Sequence, residues 1–154
     1  MNVTERTQTV PVLIADDGSA GLTAAIALAR RGAPSMIVER RPDLSGLPRA
    51  TAISLRSMEL LRGWGLEDEI RAGGIDVEWQ GWACETLTTA SAGSATGLGM
   101  PTREQSALIS PTAPACVPQD HLEPVLLRHL RSFEAARPAM GAELLRVEND
   151  PNGV

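Results

Sequence analysis

Residues 10–39, VPVLIADDGSAGLTAAIALARRGAPSMIVE, decide the fold. The run VPVLIA (10–15) is continuously apolar and closed by Asp and Gly, which predicts a strand buried on both faces of a parallel sheet. In GLTAAIALARR (21–31), Leu22, Ala25, Ile26 and Ala29 recur at i, i+3, i+4 and i+7, and Gly32 stands where a helix C-cap belongs. An amphipathic helix is expected there. SMIVE (35–39) supplies a second apolar run, so strand, helix and strand form a right-handed βαβ unit of an α/β fold.

The turn inside this unit carries the chemistry. A Gly-rich turn between strand and helix, with an acidic residue about 20 positions on, is a dinucleotide fingerprint: backbone N–H groups at the helix start hold a pyrophosphate, and the acid accepts the ribose hydroxyls. Set on G-x-G-x-x-G, the turn has Asp16 at the first glycine, Gly18 at the second and Gly21 at the third, with Ser19 and Ala20 between. Glu39, followed by Arg40, is the acidic residue, although a merely solvated strand end would read the same way. Asp16 is the departure. Asp tolerates positive φ better than most residues, so the fold should survive. Its charge is the larger problem. A carboxylate about 4 Å from a phosphate opposes it by roughly 1 kcal/mol in water and about 4 kcal/mol at an effective dielectric of 20. With Asp17 added, affinity should fall by a factor of about 10 to 1,000.

Beyond Arg40 the pattern is coarser. RRPDLSGLPRAT (40–51) reads as a basic, irregular loop. Ser54 caps a helix through RSMELLRGWG (56–65), with Leu55, Met58, Leu61 and Leu66 on one face. Residues 75–89 alternate weakly and read as extended. The Ser/Thr/Gly/Ala/Pro-rich tract 87–114 reads as a long loop holding a candidate boundary. Asp120 is the expected N-cap of a helix through HLEPVLLRHLRSF, with Leu122, Val125, Leu126 and Leu130 as its apolar stripe and Pro124 in the first turn. AELLRVENDPNGV (142–154) reads as a strand entering a turn, with Gly153 and Val154 opening an unfinished hairpin. The domain division is a disordered 1–9 and a single domain over 10–154.

Composition narrows the function. A chain of 154 residues, 43% hydrophobic, fits one domain with one core. Its net charge of -5, spread without long runs, argues against nucleic acid. All basic residues are Arg, which excludes lysine-dependent chemistry. Cys84 and Cys116 form no metal motif, there is no secretory leader pattern, and no apolar tract approaches the roughly 20 residues of a membrane span, so a cytoplasmic protein is expected. His121 and His129 read as surface or packing residues, and Trp64, Trp79 and Trp82 as core. An acidic pair after a first strand also marks receiver domains, but those need a later Lys. Asp16 and Asp17 alone lack further placed metal ligands, and no metal-binding or catalytic residue is assigned.

Several blocks in order, VLIADDGSAGLTAAIALARRG, MIVERR, LPRATAISLRSMELLRGWGLEDEIRAGG, VPQDHLEPVLLRHLR and AELLRVENDPNGV, resemble the flavoprotein monooxygenases of the p-hydroxybenzoate hydroxylase type, especially bacterial hydroxylases of polyketide and phenolic substrates. The resemblance spans nearly the whole chain. It implies a Rossmann-like FAD-binding domain, incomplete relative to the family and truncated before the substrate domain. It implies FAD as cofactor, NAD(P)H as co-substrate, oxygen as oxidant and an aromatic substrate. On the matching segments it assigns flavin contacts to Arg49 and Gln119, beside Gly18, Ser19, Ala20, Gly21, Glu39 and Arg40 of the cradle. The competing reading is a non-catalytic remnant or interaction module that binds FAD weakly or not at all. Its unfinished sheet edge would invite self-association or a partner chain.

Overall fold

In the computed structural model, residues 8–49 and 51–149 are described. Residues 1–7 of the expected disordered stretch 1–9, and the hairpin start at Gly153 and Val154, lie outside them. The chain divides into two compact units, one of residues 1–46 with 123–154 and one of residues 47–122.

In the first unit, β1 (Val12–Ala15), α1 (Ser19–Ala29) and β2 (Ser35–Glu39) form the expected βαβ. β1 and β2 pair in parallel with Val12 opposite Ser35, and the Asp16 N–H extends the ladder to the Val38 carbonyl at 3.0 Å. Leu22, Ala25 and Ile26 on α1 are fully buried, and an aliphatic side chain as large as Leu22 or Ile26 contributes roughly 2 kcal/mol by leaving water. Gly32, at φ 71°, closes the helix as expected.

A third strand, β7 (Ala136–Met140), lies parallel to β2, giving the order β1-β2-β7. Pro138 within this segment argues against a strand, and the sequence reading placed one at 142–154 instead. The structure reverses both points, since residues 142–149 carry no regular structure. Pro138 sits opposite Ile37 on an edge strand, where a missing ladder donor is tolerated. β1 is the other edge. It is not buried on both faces as expected: Leu13 is 48% exposed. Helix α5 (Gln119–Leu130) begins one residue before the expected cap, so Asp120 lies inside its first turn. From Glu123 on it belongs to the first unit, where Val125, Leu126, Leu127 and Leu130 are buried.

The second unit contains β3 (Ala52–Ile53), α2 (Leu55–Gly63), α3 (Glu67–Ala72), β4 (Gln80–Ala83), β5 (Ser94–Gly97), α4 (Arg103–Ile109) and β6 (Ala115–Cys116). Ser54 caps α2 as expected, accepting from the Ser57 N–H at 3.2 Å. β3 pairs antiparallel with β6, and β4 with β5. The tract read as a long loop thus holds a hairpin strand and a helix. The missed signal is a capping box, in which the Thr102 hydroxyl accepts from the Gln105 N–H while the Gln105 side chain accepts from the Thr102 N–H. None of the three tryptophans is fully buried, and Trp82 is exposed. Its indole N–H finds the Ala90 carbonyl at 2.8 Å.

Candidate dinucleotide-binding site

The β1–α1 turn is built by close approach. A Cβ added to Gly21 would lie 2.2 Å from the Asp16 carbonyl oxygen, so no side chain fits there. This is the helix-to-strand packing the third glycine of the fingerprint provides. α1 starts two residues earlier than the sequence predicts, because Gly18 in extended geometry (φ -61°, ψ 172°) acts as N-cap. Ser19, Ala20 and Gly21 therefore form the first helical turn, where backbone N–H groups lack intrahelical partners. No side chain caps them and no acidic residue lies in that turn.

Asp16 stands where the first glycine belongs and holds φ at 99°, the only positive φ of a non-glycine residue among the described residues. Its carboxylate leans over the turn: Oδ2 lies 3.0 Å from the place a Gly18 Cβ would occupy. Asp17 turns inward and is 1% exposed, with Oδ1 3.5 Å from the Arg41 guanidinium and Oδ2 without a partner among the described residues. Glu39, 4% exposed at the end of β2, accepts from the Arg41 backbone N–H (2.8 Å) and Nε (2.9 Å) at one oxygen, and at 3.5 Å from the Asp17 N–H at the other. A fourth carboxylate comes from α5. Glu123 is 2% exposed and accepts from the Ser19 hydroxyl at 3.2 Å.

These contacts set opposite proton affinities. Burial, then the Glu39 charge, pushes the Asp17 carboxyl up to about 6, with Glu123 and Asp16 adding to it against Arg41. The Arg41 hydrogen bonds hold Glu39 down at about 2. Arg41 is itself raised, chiefly by its bond to Glu39.

The cradle residues Gly18, Ser19, Ala20, Gly21, Glu39 and Arg40 thus lie together in the first unit, with Arg40 exposed. Arg49, exposed, and Gln119, half-buried at the start of α5, belong to the second unit. Two residues that shape the site escaped the sequence reading. Arg41, two residues past the end of β2, reaches Glu39 and Asp17. Glu123 shares the α5 stripe with Leu126, Leu127 and Leu130 at helical spacing, so its burial was legible in the sequence. His121 bonds the Glu69 carbonyl at 3.0 Å and His129 packs edge-on against Phe133, as packing residues do. In the second unit, a cavity of about 490 Å³ is lined by Ile75, Trp79, Val117, Arg71 and Arg103, both arginines being paired with acids.

The turn fits a dinucleotide diphosphate in shape: a bare helix start, a side-chain-free Gly18 and a tightly packed Gly21. It does not fit unaided in charge: the carboxylates of Asp16, Asp17, Glu39 and Glu123 stand around it, and the Arg41 guanidinium is bonded to those of Asp17 and Glu39.

Comparison with known proteins gives the family. The family described as FAD binding domain matches residues 9–154. The chain is 31% identical over 147 residues to the 2,4-dichlorophenol 6-monooxygenase of Cupriavidus pinatubonensis, covering 93% of this chain and 24% of that protein. It is 35% identical to the aklavinone 12-hydroxylase of Streptomyces purpurascens, covering 82% and 24%. Among solved structures it is similar to aklavinone-11 hydroxylase in a ternary complex with FAD and aklavinone, with a TM-score of 0.72, 31% identity, and coverage of 97% of this chain and 29% of that one. A flavin-dependent monooxygenase solved with FAD and substrate gives a TM-score of 0.74 at 29% identity, covering 92% and 25%. The chain spans about a quarter of the length of the curated relatives it matches. With its parallel sheet, its glycine turn and these matches, the chain belongs to the FAD-binding-domain family of flavoprotein monooxygenases.

Proposed function

We propose that this chain binds the ADP half of FAD at the β1–α1 turn, as the cofactor-binding part of a monooxygenase that hydroxylates an aromatic or polyketide substrate with NAD(P)H and O2. The observation that carries the reading is the Gly21 contact, because a helix start packed this closely on a strand serves a backbone-bound diphosphate. When bound, FAD supplies the redox chemistry of the reaction. The chain supplies position. Backbone N–H groups of Ser19, Ala20 and Gly21 hold the diphosphate beside Gly18, Glu39 accepts from the ribose, and Arg40 lies next to it. Arg49 and Gln119 contact the flavin. Two free cysteines, Cys84 and Cys116, support a reducing cytoplasm as the setting, and the net charge of -5 supports a small-molecule ligand over a nucleic acid. No described helix is long and apolar enough to cross a membrane.

The four carboxylates support a second reading, a chain that folds and pairs with another through the open β1 edge while holding FAD weakly. Titration of the intact chain with FAD, read by flavin fluorescence and co-elution on gel filtration, separates the two. Saturable binding supports the first. Binding absent from the wild type and from Asp16→Gly alike rejects it.

A further inference from the structure

In the acidic turn the Arg41 guanidinium is shared by Asp17 and Glu39, and the donor chemistry of the remaining carboxylate oxygens names a further cation. Asp16, Asp17 and Glu39 each bring a carboxylate oxygen to within 4.8 Å of the others. The sequence reading left Asp16 and Asp17 without further ligands; the third comes from β2, 22 residues after Asp17. The independent observation is the second Asp17 oxygen. The residue is 1% exposed, yet Oδ2 has no hydrogen-bond partner among the described residues, a costly state for a buried carboxylate. Arg41 meets Oδ1 of Asp17 and Oε1 of Glu39, and leaves Oδ2 open.

An all-oxygen, carboxylate-rich donor set selects a hard divalent cation. Magnesium in particular is held by one or two carboxylates together with ligand phosphates, keeping several waters. The turn offers two adjacent aspartates beside a bare helix start shaped for a diphosphate. We propose that Asp16, Asp17 and Glu39 hold a magnesium-type divalent cation, and that this cation bridges to the diphosphate of the dinucleotide, converting a repulsive turn into an attractive one. The second half of this proposal rests on the FAD-binding reading; the cation site itself does not.

The test begins without FAD. Mn²⁺ is titrated into the intact, metal-free chain and free Mn²⁺ is followed by electron paramagnetic resonance. One ion per chain, displaced by Mg²⁺, is expected. Asp17→Asn, which keeps the shape of the side chain, should weaken Mn²⁺ binding by about tenfold or more, each tenfold being about 1.4 kcal/mol. Asp76→Asn, an exposed acid of the other unit, should leave it unchanged. Far-ultraviolet circular dichroism and tryptophan emission report whether each variant folds, and Asp16→Gly, which the backbone accepts at φ 99°, provides a second variant lowering Mn²⁺ affinity. Absence of stoichiometric Mn²⁺ binding, or equal binding by Asp17→Asn and the wild type, overturns the cation site.

FAD titrations then follow in Mg²⁺ and in chelator. The wild type should bind about tenfold or more tightly in Mg²⁺, and an Asp16→Gly, Asp17→Gly double variant should bind equally in both. FAD binding that ignores Mg²⁺ in the wild type overturns the bridge and leaves the FAD reading standing. Loss of FAD binding by every variant in both buffers overturns the FAD reading, while the Mn²⁺ result still decides the cation site.

Discussion

Replacing Asp16 by glycine perturbs the turn in two separable ways. The residue holds φ at 99°, a conformation that costs a side chain of this kind roughly 1–2 kcal/mol and glycine nothing. Glycine also loses more chain entropy on folding, by roughly 0.5–1 kcal/mol. The net effect is a gain of up to about 1.5 kcal/mol, or a rise in Tm of a few degrees at about 2–4 °C per kcal/mol for a domain of this size. The second effect is electrostatic. Asp16 is exposed and leans over Gly18, so its repulsion of a phosphate sits near the solvated limit of roughly 1 kcal/mol, about fivefold in Kd. Asp17 is buried, and its repulsion lies nearer about 4 kcal/mol, some hundredfold or more. In chelator at low salt, Asp16→Gly should therefore bind FAD about fivefold more tightly than the wild type, with the gain shrinking as salt screens it. Thermal unfolding and a fluorescence titration on the same samples measure both effects. A Tm that does not rise, with FAD affinity unchanged or lower, would refute the reasoning.

Three further outcomes are expected. Gly21→Ala places a Cβ 2.2 Å from the Asp16 carbonyl and should destabilise the chain by about 2 kcal/mol or more while abolishing FAD binding; a stable, binding variant would mean the helix packs differently. Glu39→Ala should weaken FAD binding and lower stability by leaving Arg41 and the Asp17 N–H without their acceptor, and indifference in a titration would remove the ribose role. In chelator, pH should act on stability from both sides. The Asp17 pKa is raised from 3.8 to about 6, so its contribution is full below about 3.8 and lost as pH rises through 6. The Glu39 pKa is lowered from 4.5 to about 2, so its contribution is present above 4.5 and lost as pH falls towards 2. Urea unfolding across pH should thus show a maximum near pH 4–5 from this pair, and Asp17→Asn should flatten the side above it; an unchanged profile in that variant would show the pair does not control it.

The βαβ unit was legible because local signals agreed: an apolar run, helical spacing, a closing Gly32 and a second run at Ser35. What failed to read depended on partners distant in sequence. Pro138 argues against a strand until β7 is known to lie at an edge, and VPVLIA reads as a central strand although β1 is an edge within this chain. The glycine turn was visible in the sequence, but its charge balance was only half visible. Asp16 and Asp17 are adjacent, whereas Glu123 arrives from α5, over a hundred residues on, and Arg41 sits two residues past the end of β2. Glu123 carried a periodic signal, 3.6 along α5, that points a charged residue inward, and a charged residue at an inward position marks a site; Arg41 lies past the end of β2, where no period signals it. The helix at Arg103–Ile109 was hidden by composition, since a Ser/Thr-rich tract and a capping box share the same residues.

The most direct test of the dinucleotide cradle is titration of the purified chain with FAD, comparing the wild type with Asp16→Gly and Gly21→Ala by flavin fluorescence and gel filtration. Saturable one-to-one binding that tightens with Asp16→Gly in chelator and disappears with Gly21→Ala is the expected result. No saturable binding by the wild type or by Asp16→Gly, in chelator or in Mg²⁺, would contradict it.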